Sequence, residues 1–229
     1  MKEARSAKSI EKKAERVNIL LTSVYGRKER TCGDDPLDTL IETILSQNTS
    51  DINSSRAFEL LKRRYPSWEE LLEDSPENIA DTIRSGGLAE IKARRILGAL
   101  NLLKAERGGY DLGFLSSMTS DKAANWLISI EGVGPKTAAI VLLFSFGMPT
   151  FPVDTHIFRV SKRLGLVQER TSRESTQKEL ERLIDPEEYY NMHLNLIEHG
   201  RRVCRSRRPR CEVCALSGLC LQYRKTVKA

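Results

Sequence analysis

The spacing of apolar residues along this chain predicts a protein built from helices. One inward helical face, with apolar residues at i, i+3, i+4, i+7 and i+8, is formed by Leu37, Leu40, Ile41, Ile44 and Leu45. Similar patterns predict further helices at 52–65, 155–164, 173–184 and 187–199. The strict alternation of apolar and polar residues that is typical of a strand is absent from the sequence, so the pattern indicates an all-α fold.

Polar residues mark where several of these helices begin. The sequence Asp34-Asp35-Pro36 is typical of a capped helix start, because a carboxylate can accept the free N–H groups and proline suits the first turn. A polar cluster then runs from Ser46 to Asp51, in which Ser50 or Asp51 is the expected N-cap of the next helix.

A glycine-containing turn separates two apolar helical segments within residues 127–146. Gly132 and Gly134 allow positive φ angles and leave the backbone bare, so that successive N–H groups can approach an anion. Pro135 suits the first position of the following helix, whose positive dipole end faces the same point. These features predict a helix-hairpin-helix, which binds DNA phosphates without reading bases. A plain corner between two core helices would have the same pattern, and that alternative stays open here.

Lys136 and Asp154 are the candidate chemical groups next to this turn. Lys136 falls in the first turn of the second helix, where the positive dipole end disfavours the ammonium and favours the neutral amine that a nucleophile needs. Asp154 lies where the N-cap of helix 155–164 is expected, and a capping carboxylate is held rigidly, as a catalytic one must be. The ordinary alternatives are a solvated lysine and an aspartate that only caps.

Composition limits the class of protein. With 229 residues, of which 40% are hydrophobic and 30% charged, we expect a soluble globular protein of one or two domains. Apolar runs fall well short of the roughly 18 residues of a membrane span. The N-terminal residues lack the apolar stretch of a secretory signal. We therefore expect a cytosolic, nucleoid-associated protein that is neither secreted nor inserted in a membrane.

The positive charge is concentrated near the C-terminus. The chain carries +6 overall, but residues 201–229 contain nine Lys or Arg and one acid, Glu212, so that this segment alone carries +8 and the first 200 residues −2. Such a patch on a nearly neutral body predicts a polyanionic partner and salt-dependent binding. A basic tail that serves only solubility is the alternative.

Four cysteines lie within seventeen residues, in the pattern C-x6-C-x2-C-x5-C. In a reducing compartment this clustering predicts a metal centre rather than disulfides. One close pair flanked by single cysteines is unlike the two pairs of a zinc ribbon and suits [4Fe–4S]. The predicted ligands are Cys204, Cys211, Cys214 and Cys220.

Two segments carry a resemblance to a known family. Ile130-Glu-Gly-Val-Gly-Pro-Lys-Thr-Ala and Val153-Asp-Thr-His-Ile-Phe-Arg-Val are similar to the helix-hairpin-helix and Gly/Pro/Asp motif of the endonuclease III family of DNA repair glycosylases. The resemblance covers the chain from about residue 35 to Cys220 and includes the spacing of the cluster loop at 204–220. It therefore favours an iron–sulfur cluster over zinc.

The resemblance implies a two-domain, all-α glycosylase fold with the active-site cleft between the domains. A central domain would comprise residues 36–148, and a second one residues 1–35 plus 149–229. The implied activity is that of a bifunctional DNA glycosylase/AP lyase in base excision repair, which removes damaged, oxidised pyrimidines. Lys136 would form a Schiff base with the sugar C1′, Asp154 would be the essential acid, and β-elimination would cleave the strand.

The resemblance also assigns DNA contacts. The polar loop would meet the base left unpaired by flipping, but the family's usual glutamine position is occupied by Asn48 and preceded by Gln47, which puts the opposite-base preference in doubt. Leu88, after Gly86-Gly87, would be the wedge inserted into the base stack, although a leucine tucked inward is the ordinary alternative. Contacts to DNA phosphates are expected at Gly132, Gly134, Thr137, Arg205, Arg207, Arg208 and Arg210.

Three other functions stay open. A uracil or thymine mismatch glycosylase of the same fold generally lacks a lysine at the position of Lys136. A plant-type 5-methylcytosine glycosylase has both the lysine and the cluster, but in a far larger chain. A DNA-binding module without catalysis would use only the hairpin and the basic loop. The expected partner is double-stranded DNA with a damaged base or an abasic site, bound by a monomer.

Overall fold

The computed structural model of the chain describes residues 2–30 and 35–228. In these residues the backbone forms α-helices and short 3₁₀ turns without any strand, so the predicted all-α fold is confirmed. The chain divides into two compact units. One is the continuous segment Cys32–Met148, and the other joins Met1–Thr31 to Pro149–Ala229.

The continuous unit is organised around its first helix. Its helices are α2 (Pro36–Leu45), α3 (Asp51–Arg64), α4 (Trp68–Glu73), α5 (Pro76–Thr82), α6 (Ala89–Arg107), α7 (Ser120–Ser129) and α8 (Pro135–Phe146). Helix α2 packs against α3, α6 and α8. The predicted inward face of α2 is confirmed, because all five of its apolar residues are at most 1% exposed.

The second unit contains the two chain ends. Its helices are α1 (Lys2–Tyr25), α9 (Thr155–Leu164), α10 (Arg173–Leu183), α11 (Tyr189–Arg202) and α12 (Leu221–Lys228). Helix α11 packs against both α1 and α9, and α12 also packs against α9. Across residues 2–30 and 35–228, none of the helices combines the length and the apolar character that crossing a membrane requires.

The predicted helix caps are present where the structure describes them. Asp35 accepts hydrogen bonds from the N–H groups of Leu37 and Asp38, and Ser50 accepts one from Asn53. Ser50 rather than Asp51 is therefore the cap of α3. Asp34, the other residue predicted at the start of α2, lies outside the described residues.

A buried lysine connects α6 to two neighbouring segments. The side chain of Lys92 is 1% exposed, and its Nζ donates hydrogen bonds to the carbonyl oxygens of Leu45, at 2.6 Å, and Gly86, at 2.8 Å. Leu45 is the last residue of α2, and Gly86 ends the 3₁₀ turn Arg84–Gly86. Burial lowers the pKa of Lys92 to about 8, and the positive charge of Arg95 contributes to this change.

We expect the free energy of unfolding of the native chain and of the Lys92→Met variant to depend differently on pH, because only the native chain titrates at Lys92. The folded pKa of Lys92 lies below its unfolded value, so the penalty for burying the charge is fully present below about pH 8 and is lost as the pH rises towards 10.5. The free energy of unfolding of the native chain should therefore rise by roughly 2 kcal/mol relative to the variant between pH 7 and 10. Urea unfolding of both proteins measures this, and a difference that does not change with pH would contradict it.

Candidate functional site

The glycine turn has the predicted helix-hairpin-helix geometry. Helix α7 ends at Ser129, helix α8 begins at Pro135, and the N–H of Val133 donates to the carbonyl of Ile130 at 3.0 Å. Gly132 has the predicted positive φ of 80°. A Cβ at this position would also collide with the side chain of Arg95, so both backbone conformation and packing require glycine here.

The start of α8 is open to an external anion. Its N-cap is Gly134, which has extended backbone, and a Cβ added there would meet nothing within 4 Å. Among the described residues, no side chain accepts a hydrogen bond from the first turn of α8, so its N–H groups and positive dipole end are left for a ligand. Thr137, which was also predicted to contact phosphate, is only 5% exposed, so little of this residue reaches the surface.

Lys136 and Asp154 differ in how they are held. Lys136 is exposed in the first turn of α8. Asp154 is half-buried and caps α9 as predicted, with Oδ1 accepting a hydrogen bond from the N–H of Ile157 at 2.7 Å. One carboxylate oxygen of Asp154 is therefore fixed by the start of α9. Lys136 belongs to the unit Cys32–Met148 and Asp154 to the other unit.

The two amides of the polar loop have different surroundings. Gln47 is half-buried, its Nε2 donates to the carbonyl of Gly132 at 3.1 Å, and its Oε1 accepts from Nη1 of Arg95 at 2.5 Å. Asn48 is exposed and has a positive φ of 55°. The amide of Gln47 is thus engaged inside the protein, whereas that of Asn48 faces outwards.

Leu88 projects from the second glycine turn. It immediately precedes α6, is 49% exposed and has a φ of 51°. The alternative of a leucine tucked inward is therefore wrong. A left-handed conformation costs a non-glycine residue about 1–2 kcal/mol, so the surrounding structure must hold Leu88 in place.

Sequence reasoning missed Lys92 and Arg95, which contact these loops from α6. The signal for Lys92 was present in the sequence, because it shares a helical face with Ala89, Ala93 and Ile96, and a lysine within an apolar stripe indicates burial. The position of Arg95 against the turn at Gly132 has no comparable signal, since the two residues are distant in sequence.

The four predicted metal ligands line one cavity of about 270 Å³ in the unit that contains the chain ends. All four thiols are free and half-buried. Burial raises the pKa of Cys214, and the neighbouring thiolates raise it further, which is a repulsion that a cationic group would relieve. Within the described residues, no three His, Cys, Asp or Glu side chains are arranged to hold a single metal ion. The four thiols therefore line one cavity without converging on a single point.

The loop between Cys204 and Cys211 is held by an arginine that the sequence did not reveal. Arg163 of α9 donates to the carbonyl oxygens of Arg205, at 2.6 Å, and Ser206, at 2.9 Å, and lies 3.4 Å from the sulfur of Cys204. The N–H of Arg210 closes the loop onto the carbonyl of Val203 at 3.0 Å. The side chains of the four arginines predicted to contact DNA are exposed: Arg205, Arg207, Arg208 and Arg210.

Comparison with known proteins places these features in a family. A family model described as the HhH-GPD superfamily base excision DNA repair protein matches residues 41–186. Endonuclease III of Thermotoga maritima is 37% identical over 194 residues, which are 85% of this chain and 86% of that protein. A candidate DNA glycosylase of Arabidopsis thaliana is 40% identical over 165 residues, or 72% of this chain, and the chain matches only 56% of that protein's length.

The fold is also that of a solved endonuclease III. The structure of a trapped covalent intermediate of endonuclease III with DNA, an estranged-adenine complex, superimposes with a TM-score of 0.82 at 28% identity, covering 95% of this chain and 98% of that one. This agreement and the family match confirm the resemblance predicted from the hairpin and the motif around Asp154. The chain belongs to the endonuclease III family within the HhH-GPD superfamily of base excision DNA repair proteins.

Proposed function

We propose that this DNA glycosylase/AP lyase removes oxidised pyrimidines from double-stranded DNA and cleaves the strand through Lys136. The observation that carries the proposal is an exposed lysine in the first turn of a helix that follows a Gly-Val-Gly-Pro hairpin and has no side-chain cap among the described residues. An amine at this point lies beside N–H groups that can bind the phosphate of the same nucleotide.

Lys136 acts as the nucleophile in the proposed reaction. The lone pair of its neutral amine forms a bond to the sugar C1′, and the bond from C1′ to the base breaks, so that the base leaves with that electron pair and takes up a proton. After the amine nitrogen has lost one proton to a base, its lone pair breaks the bond from C1′ to the ring oxygen O4′, which takes up a proton, and the opened sugar carries a protonated imine. Removal of a C2′ proton then expels the 3′ phosphate, which is the β-elimination.

Asp154 is the acid–base group in this scheme. Its Oδ1 is fixed by the N–H of Ile157, and Oδ2 can accept the proton of the attacking amine or stabilise the cationic sugar. Lys136 would be carried by the domain of residues 36–148 and Asp154 by the domain of residues 1–35 plus 149–229.

The DNA contacts follow from exposure and backbone geometry. The uncapped turn at Gly134 would bind a phosphate, Leu88 would enter the base stack, and Asn48 would meet the unpaired base. The exposed arginines of the cluster loop would add phosphate contacts that carry no sequence information. We propose that the chain works as a monomer on the DNA of the nucleoid.

The endonuclease III family is generally associated with an iron–sulfur cluster, and we propose that Cys204, Cys211, Cys214 and Cys220 hold [4Fe–4S] in this chain. The cavity of about 270 Å³ that these four thiols line supports this assignment. When bound, the cluster would fix the loop of exposed arginines and so reduce the ordering cost of binding DNA.

The first test is the capture of the imine. Borohydride should trap a covalent adduct of the native chain with duplexes that contain thymine glycol or an abasic site, and Lys136→Gln should abolish it, because only a neutral amine can form the imine. Lys104→Gln, which removes an exposed lysine of α6, is the matched control and should trap normally.

The lesion series identifies the competing functions. Base release without an adduct would show a glycosylase that uses water, with uracil or thymine opposite guanine as the substrates to compare. If no lesion is released and DNA is still bound, the chain is a binding module and the proposal fails.

Asp154→Asn separates capping from catalysis. Asparagine is as good an N-cap as aspartate, so thermal stability should be unchanged, whereas base release should fall by about 10²- to 10⁴-fold because the acid–base group is lost. Single-turnover kinetics and thermal unfolding of the same preparation measure both effects. Equal activity of the variant and the native chain would exclude Asp154 from the reaction.

Cys214→Ser tests the cluster. The native chain purified without oxygen should contain about four irons and matching sulfide, and the variant should lose them together with the visible absorption band. Cys32→Ser removes the remaining cysteine of the sequence and should keep the iron. One zinc per chain in the native protein would overturn the assignment.

A further inference from the structure

Three turns with proposed DNA contacts are all connected to helix α6. The loop that carries Asn48 follows α2, the tip at Leu88 precedes α6, and the hairpin at Gly132 joins α7 to α8. Each turn is hydrogen-bonded, directly or through one side chain, to residues on a single face of α6. The three turns are far apart in sequence, and these hydrogen bonds join them across the fold.

Lys92 connects the first two turns. Its Nζ bonds the carbonyl of Leu45, the last residue before the polar loop, and the carbonyl of Gly86, two residues before Leu88. Carbonyl groups at the ends of helices lack partners within the helix, and a cation there is favourably placed. Because Lys92 is 1% exposed, water cannot replace it as the donor without a local opening of the core.

Arg95, one turn further along α6, connects the first turn to the third. It donates to Oε1 of Gln47, and Nε2 of Gln47 donates to the carbonyl of Gly132. The Arg95 side chain also fills the space that a Cβ at Gly132 would occupy. Gln47 is therefore the connecting group between the polar loop and the hairpin, and its amide is already in use.

The exposed tips of the first two turns, Asn48 and Leu88, both have positive φ angles. Asparagine adopts this conformation more readily than other non-glycine residues, so the backbone strain falls mainly on Leu88. Such conformations persist only where the surrounding structure determines them. The hydrogen bonds of Lys92 lie within three residues of each tip.

We propose that Lys92 and Arg95 are positioning residues that hold the Asn48, Leu88 and Gly132 turns in one arrangement competent to open the duplex. They act through the turns and do not touch the reacting atoms. The inference rests on the proposed function. Its consequence is that the two residues matter for extruding a base from the duplex and not for the attack of Lys136 on an exposed sugar carbon.

The test compares two substrates of the native chain and of Lys92→Met, which keeps the length and apolar stem of the side chain. Single-turnover base release from a thymine glycol duplex should fall about 10- to 100-fold, because a small displacement of positioning groups has effects of this size. Borohydride trapping at a preformed abasic site, where no base has to be extruded, should be unchanged. Lys104→Met, an exposed lysine on the same helix, is the control and should match the native chain on both substrates.

A double-mutant cycle with Leu88→Ala tests whether Lys92 acts through the wedge. If it does, the double variant should release thymine glycol no more slowly than Leu88→Ala alone. A 2-aminopurine next to the lesion should become fluorescent on binding of the native chain and remain quenched with Lys92→Met, since it reports unstacking directly.

Several results would overturn the proposal. An equal loss of activity on the two substrates would mean that Lys92 serves only folding. Additive losses of activity in the double-mutant cycle would show that Lys92 acts independently of Leu88. Should Lys92→Met fail to fold, Arg95→Met breaks the connection from α6 through Gln47 to Gly132. This variant must also lose base release from thymine glycol while it traps the abasic site normally. If Arg95 only contacted a phosphate, its loss would weaken the reaction with both substrates equally. A native chain that traps the abasic site but releases no base would instead refute the proposed function.

Discussion

The structure of the continuous unit depends on how the charge of Lys92 is accommodated in its core. Removing an ammonium from water is costly unless the lost hydrogen bonds are replaced. Here two carbonyl oxygens at 2.6 and 2.8 Å replace them, and both belong to the ends of helical segments, where carbonyl groups otherwise lack partners. The interaction thus satisfies three polar groups at once and fixes the end of α2 and the turn before α6 relative to each other.

This constraint connects the core to the turns that are proposed to contact DNA. Loops that contact a ligand are usually the mobile part of a protein. Opening a duplex, however, requires that an inserted side chain and the groups around it keep their positions while the bases separate. In this chain the tips at Asn48 and Leu88 lie within three residues of the carbonyl groups that Lys92 binds, and Gln47, next to Asn48, accepts a hydrogen bond from Arg95. Lys136, the proposed nucleophile, follows the third of these turns in the first turn of α8.

The other unit holds the loop between Cys204 and Cys211 in a similar way. Arg163 donates to two carbonyl oxygens of this loop, as Lys92 does to those of Leu45 and Gly86. In both units a cation thus binds backbone carbonyl groups beside exposed side chains that are proposed to contact DNA. The four cysteines around the cavity place the ends of the arginine loop at the proposed cluster.

The sequence by itself determined the features that are local in the chain. The all-α class, the inward face of α2, the caps at Asp35, Ser50 and Asp154, and the positive φ of Gly132 depend on residues within a few positions of one another. The family also followed from the sequence, because its motifs are contiguous.

Only the tertiary structure decided which side chains are engaged and which are free. Gln47 and Gly132 are 85 residues apart, and Lys92 and Leu45 are 47 apart. No local pattern specifies such pairs, since they form when packed helices bring distant segments together. For that reason the engagement of Gln47, the exposure of Leu88 and the roles of Lys92 and Arg163 could be read only from the folded chain.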